Sequence, residues 1–168
     1  GFAAYWAVPQ GALTAKDGAW KEGPGLDLFR AVYQKLGRLN LVAEDLGVIT
    51  DDVCALKDAL DLPGMKVFQF HLKDRSDGIR AFDTEPNCIA YTGTHDNNTI
   101  RGWYEQELSE SEQLHIRRML DLSDDVSPEE LVQAVIAYTY RRRAETVIVP
   151  MQDPLALPAE ARMNVPGV

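Results

Sequence analysis

Short apolar runs alternate with helical patterns along this chain, and that alternation restricts its fold more than any other feature. Residues 39–43 form an apolar run that stops abruptly at Glu44-Asp45-Leu46-Gly47, as a buried parallel strand does on reaching its loop. Residues 65–70 and 89–93 are two more such runs, the second reached after a polar loop rich in Asp, Ser and Gly. A β-branched run at 146–149 precedes a Pro-rich irregular tail, and residues 2–8 read as the exit of a strand already under way. Between the runs, Leu28, Phe29, Val32, Tyr33 and Leu36 recur at helical spacing before a Gly37 stop, which predicts a helix over 26–36. Thr50 offers an N-cap to a helix over 51–60 that Pro63-Gly64 would close. Residues 97–122 read as two charged helices meeting near Ser109. Ser127-Pro128-Glu129-Glu130 opens another helix, expected to reach about Arg143, with Ser at the cap and acids on the positive end of the dipole.

Strands alternating with helices imply parallel βαβ units with the helices outside the sheet. No Gly-rich phosphate loop follows any of the runs, so a doubly wound nucleotide-binding sheet lacks its signature. That leaves an α/β (β/α)8 barrel. A whole barrel takes about 250 residues, so the 168 residues are expected to hold its C-terminal half as one partial domain, 1–168, from the exit of strand 4 to strand 8. The chain reads as a piece of a longer protein, truncated at both ends.

Charge narrows the partners. Seventeen basic against 26 acidic residues give a net charge of -9, which repels phosphate backbones and anionic membrane surfaces. Neither nucleic acid nor membrane is an expected partner, and no stretch approaches the roughly 18 apolar residues of a membrane span. The first residues carry no basic region followed by an apolar one. The two cysteines, Cys54 and Cys88, form no dense framework, which fits a reducing compartment and a cytoplasmic location, with a single disulfide left open.

In a barrel the working residues stand at the C-terminal ends of the strands. Glu44 follows one apolar run directly, and Asp96 follows Tyr91-Thr92-Gly93-Thr94-His95. Each has a plainer reading as the cap of the next helix. Together on strands of one sheet they would face a common cleft, and paired carboxylates do acid/base and nucleophilic work on glycosidic bonds. Other features carry less. His71 ends an apolar run near the expected cleft, and His115, mid-helix among charges, reads as solvated. No His/Cys/Asp spacing suggests a metal, and no cofactor is implied. Asn97-Asn98-Thr99 matches a glycosylation sequon by chance, and Arg141-Arg142-Arg143 fits a helix C-terminus.

Specific segments go further. Gly1-Phe2-Ala3-Ala4-Tyr5-Trp6-Ala7-Val8-Pro9, Gly18-Ala19-Trp20-Lys21-Glu22-Gly23-Pro24-Gly25, Ala43-Glu44-Asp45-Leu46-Gly47, Gly64-Met65-Lys66-Val67, Tyr91-Thr92-Gly93-Thr94-His95-Asp96-Asn97 and Arg162-Met163-Asn164-Val165-Pro166-Gly167 stand in this order from first residue to last. They resemble the catalytic half of the 4-α-glucanotransferases (amylomaltases, or disproportionating enzymes). The resemblance implies retaining transfer of α-1,4-glucan segments between maltooligosaccharides, amylose or related glucans, through a covalent glycosyl-enzyme. It assigns Glu44 as acid/base and Asp96 as the carboxylate that holds the donor sugar's hydroxyls. The nucleophilic aspartate would lie just before Gly1, so residues 1–168 alone are expected to be inactive. On residues alone, Glu44 and Asp96 would have been paired as acid and nucleophile.

The general acid must hold its proton near neutral pH, which an apolar surround achieves. His95 is expected to donate to a sugar hydroxyl, and Asn164 of the matched tail segment joins the substrate-binding group. Tyr5, Trp6 and Trp20 offer stacking faces for glucose rings, with a core position the alternative for Trp6. The sequence departs from the family at residues 152–158, where the family tends to glycine and this chain has Pro154 and Pro158. Two rivals stay open: an α-amylase-type hydrolase using the same carboxylates, and a non-catalytic glucan-binding piece. The open strand edges of a half-barrel invite association with another chain, while oligomeric state is not legible.

Overall fold

The computed structural model describes residues 1–71 and 82–167, so the polar loop expected before residue 89 lies mostly outside the described residues. Contacts gather in two units, Gly1–Gly64 and Met65–Val168. In the first, β1 (Ala4–Ala7) pairs antiparallel with β2 (Ala19–Glu22), Trp6 opposite Trp20 and Tyr5 opposite Lys21. The sequence reading of residues 2–8 as one strand leaving a parallel sheet missed this hairpin. Four residues between Gly18 and Gly23 are too short a run to show alternation. The indole of Trp6 donates to the Ala15 carbonyl at 2.7 Å, holding the 3-10 turn Ala15–Asp17 over the hairpin.

Two helices follow close to their predicted bounds. In α1 (Gly25–Leu36) Phe29 is buried and meets Phe2 edge-on at 5.1 Å, and Gly37, at φ +75°, ends the helix by donating to the Tyr33 carbonyl at 2.9 Å. Thr50 stands at the N-cap of α2 (Asp51–Ala59), but its hydroxyl donates to the Asp52 carboxylate instead of accepting from the helix. The strand expected at 39–43 is absent as a ladder. Ala43 N–H donates to the Pro63 carbonyl at 2.8 Å, and one such bond does not make the repeated pairing of a strand.

The second unit contains the sheet, in the order β3 (Gly64–Val67), β4 (Cys88–Tyr91), β5 (Thr146–Ile148). β4 and β5 run parallel with Ile89 opposite Thr146 and Tyr91 opposite Ile148, as the β-helix-β reading requires. The predicted run to Phe70 is cut at Val67 by a helical turn, α3 (Phe68–His71). Tertiary packing overrides the strand tendency there: Phe68 meets Phe82, Trp103 and Tyr138 edge-on at 5.7, 5.8 and 6.1 Å. The core around it includes Ala90, Ile100, Ile116, Leu131, Val132 and Val135, drawn from β4 and from α4 (Ile100–Gln106), α5 (Glu110–Met119) and α6 (Pro128–Tyr140).

Ser109 and Ser127 each form a full capping box. In the second, Glu130 N–H donates to Ser127 Oγ at 3.2 Å while Ser127 N–H donates to Glu130 Oε2 at 3.0 Å, which holds the Glu130 carboxyl below its ordinary pKa. Ser127→Ala should therefore cost about 1 kcal/mol of stability, measured by urea unfolding, and an unchanged midpoint would remove that role. Helix α6 ends three residues earlier than predicted. Arg142 donates back to the Tyr138 carbonyl at 3.3 Å with its guanidinium 4.1 Å over the Tyr138 ring, so it closes the helix instead of extending it. His115 corrects the solvated reading, because its Nε2 is buried without a hydrogen-bond partner among the described residues.

Candidate active site

The loop leaving β4 is closely cross-linked by polar contacts. Asn97 Oδ1 accepts from both the backbone N–H and the hydroxyl of Thr94 at 2.8 Å, and Asp96 N–H donates to Thr94 Oγ1 at 3.3 Å. These bonds close a turn over 94–97, so α4 begins at Ile100 with Thr99 as its cap, accepting from Gly102 N–H at 3.0 Å. Asp96 is therefore not the helix cap that its plainer reading made it. Its side chain, 53% exposed, has Asn164 Nδ2 donating to Oδ1 at 2.6 Å and His95 Nε2 3.4 Å from Oδ2.

Beneath the loop, Gln69 is 2% exposed and donates to the Asn98 carbonyl at 2.8 Å. A Cβ on Gly93 would stand 2.7 Å from Gln69 Nε2. Glycine is thus what lets the loop lie on that buried amide. Gln69 is not legible from the sequence, since one polar residue in an apolar run has no periodicity of its own. Asp153 was equally hidden in the tail. It is 1% exposed and accepts from Thr92 Oγ1 at 2.6 Å and Ile100 N–H at 2.8 Å, joining the strand exit to the first turn of α4. In the same segment Ala156 is held at φ +50°, a conformation glycine adopts more easily.

Burial pushes the Asp153 carboxyl above its ordinary pKa, against the pull of Ile100 and Thr92. Between the ordinary and the raised value, the folded chain keeps a proton that the unfolded chain has lost. The group's contribution to stability therefore falls as pH rises through that window. Wild type is expected to lose stability relative to Asp153→Asn as pH climbs from about 4. A pH-independent difference in denaturant midpoint would contradict this.

In the other unit, Glu44 is exposed, so the apolar surround expected of a general acid is not provided by its own segment. The following residue, Asp45, is half-buried and accepts from Lys57 Nζ of α2 at 2.9 Å. Because Thr50 occupies the cap of α2, neither acid is that helix's cap. The hairpin separates the three aromatic candidates. Trp6 and Trp20 form a cross-strand pair with rings 5.4 Å apart at 73°, while Tyr5 pairs with Lys21 on the opposite face. All three are exposed within this chain, Trp20 at 65%. His71 ends α3, and its side chain lies outside the description. Among the described residues no three His, Cys, Asp or Glu side chains cluster as metal ligands, and no helix is long and apolar enough to cross a membrane.

A parallel sheet whose strand exit presents a carboxylate between a histidine and an amide places that group where α/β folds carry their working residues. The match to known proteins is more definite. A family model described as 4-alpha-glucanotransferase matches residues 1–168, and the chain belongs to that family. It is 42% identical over 168 residues to the chloroplastic/amyloplastic 4-alpha-glucanotransferase of Solanum tuberosum, covering 99% of this chain and 28% of that protein. It is 40% identical over 168 residues to the 4-alpha-glucanotransferase of Streptococcus pneumoniae serotype 4, covering 99% of this chain and 33% of that one. In structure it matches the amylomaltase of Streptococcus agalactiae, solved with acarbose, at a TM-score of 0.87 and 34% identity, over 99% of this chain and 33% of that chain. The fold is thus the α/β fold of the matching part of an amylomaltase (β/α)8 barrel. The chain spans about a third of the length of these relatives.

Proposed function

We propose that the complete protein is a 4-α-glucanotransferase, moving α-1,4-glucan segments between maltooligosaccharides, amylose or similar chains with retention. In this reading residues 1–168 are one partial domain, the C-terminal half of the barrel from the exit of strand 4 to strand 8. An aspartate outside this chain attacks the anomeric carbon as the glycosidic C–O bond breaks, and Glu44 gives its proton to the departing oxygen. The 4-hydroxyl of an acceptor glucan then attacks the glycosyl-enzyme, returns its proton to Glu44 and frees the aspartate. Asp96 accepts hydrogen bonds from hydroxyls of the donor sugar as the ring flattens. His95 is positioned to donate to one of them, and Asn164 binds substrate while orienting Asp96.

The observation that carries this reading is the Asp96 carboxylate at the β4 exit, its two oxygens bracketed by Asn164 and His95, in a chain matching the glucanotransferase family throughout. The exposed Trp6 and Trp20 pair, and Tyr5 on the other face of the hairpin, supply flat apolar faces for glucose rings. We place the protein in the cytoplasm, a reading supported by its two sparse cysteines. The potato relative is named for plastids. The reaction is tested by incubating the complete protein with maltotriose. Transfer yields free glucose together with maltopentaose, whereas hydrolysis yields glucose and maltose without longer chains and would sink the proposal.

A further inference from the structure

The tail segment Arg162-Met163-Asn164 returns to the β4 exit and closes a ring of contacts on Asp96. Arg162 Nε donates to the Asn164 main-chain carbonyl at 2.9 Å, and Arg162 Nη2 donates to the Asp96 main-chain carbonyl at 3.0 Å. Asn164 Nδ2 completes the ring by donating to Asp96 Oδ1 at 2.6 Å. One planar guanidinium thus grips the backbone on both sides of the Asn164–Asp96 bond, one of the two contacts on the carboxylate. We propose that Arg162 is a positioning residue for Asp96, setting the direction of its carboxylate without touching the sugar. This inference rests on the donor-binding role of Asp96 proposed above.

Three features argue for it. The guanidinium presents donors in a fixed fork, so two carbonyls on different segments are held at a set spacing, which a lysine's single nitrogen does poorly. The approach of the tail is also built in: a Cβ on Gly102 would stand 2.7 Å from both Cα and Cβ of Ala159, so α4 and the turn just before Arg162 pack at backbone distance. Finally, the side chains of Thr94 and Asn97 close the turn over 94–97 from within, and Arg162 adds a contact from the tail at the Asp96 carbonyl. Those bonds fix its backbone and leave the Asp96 side chain to be aimed by Asn164 and His95.

The test uses the complete protein and two variants, Arg162→Gln and Arg162→Lys, each also combined with Asp96→Asn, with kcat/KM measured on maltotriose and on α-glucosyl fluoride. Arg162→Gln should lose about tenfold or more on both donors alike, the scale of one charge-assisted hydrogen bond, with Arg162→Lys intermediate. Once Asp96 is already Asn, the same change should cost less than about threefold, because there is no carboxylate left to aim. A residue that merely stabilises the tail would give the same loss in both backgrounds, and that outcome overturns the proposal, as does a wild-type rate for Arg162→Gln. If the wild-type protein makes no longer chains, the proposed function fails. The inference is then decided separately by a crystal structure of Arg162→Gln, or of Arg162→Lys where the first does not fold. An Asn164–Asp96 contact opened beyond hydrogen-bond reach supports it, and a contact kept as in wild type refutes it.

Discussion

Glu44→Gln in the complete protein is expected to slow transfer between maltodextrins by about 10²–10⁴-fold, the usual value of a positioned general acid/base. The amide keeps the shape of the side chain but can neither protonate the leaving sugar oxygen nor take the acceptor's proton. With α-glucosyl fluoride as donor the departing group needs little protonation, so formation of the glycosyl-enzyme should survive far better. The structure makes this substitution easy to interpret. Glu44 is exposed, and the ion pair to α2 belongs to its neighbour Asp45, held by Lys57 at 2.9 Å, so among the described residues the substitution removes no ion pair of that segment. Stopped-flow or fluoride-release rates on both donors check the expectation, and equal losses on the two would remove the acid/base assignment.

Asp96→Asn should behave differently, slowing both donors together by about 10²–10³-fold, as expected when a group that stabilises developing charge is lost. In the proposed mechanism its work concerns the distorted donor ring, which is the same whatever leaves. The replacement also puts a neutral amide between Asn164 and His95, where the carboxylate now takes a 2.6 Å bond and stands 3.4 Å from the imidazole. A variant that discriminated between the donors would make Asp96 a participant in proton transfer and contradict its assigned role. The pair of variants read on the pair of donors thus separates protonation from binding of the transition state.

Much of the helical framework was legible because its signals are local. Ser127-Pro128-Glu129-Glu130 combines cap, first-position proline and acids within four residues, and the helix begins there. The Gly37 stop and the break at Ser109 fell where they were read for the same reason. What was illegible depended on partners remote in sequence. The β1–β2 hairpin joins residues some fifteen positions apart through a turn without a standard two-residue signature. The Phe68 turn is imposed by rings arriving from residues 82, 103 and 138. At the candidate site the carboxylates stood out by following apolar runs, whereas Gln69, Asp153 and Arg162 did not. Each acts through a bond to a residue at least 29 positions away, and nothing local distinguishes a buried glutamine or a tail arginine from an ordinary one.

The stereochemistry and destination of the transferred glucan bear most directly on the proposed reaction. Proton NMR of the complete protein acting on maltotriose, followed from the first minutes, resolves the anomeric signals of new linkages and of newly freed reducing ends. Retaining transfer predicts growth of α-1,4 linkages in chains longer than the substrate, with total glycosidic linkages conserved. Appearance of β-configured reducing ends with a matching loss of linkages would mean inverting attack by water, and would contradict both the transfer and the roles given to Glu44 and Asp96.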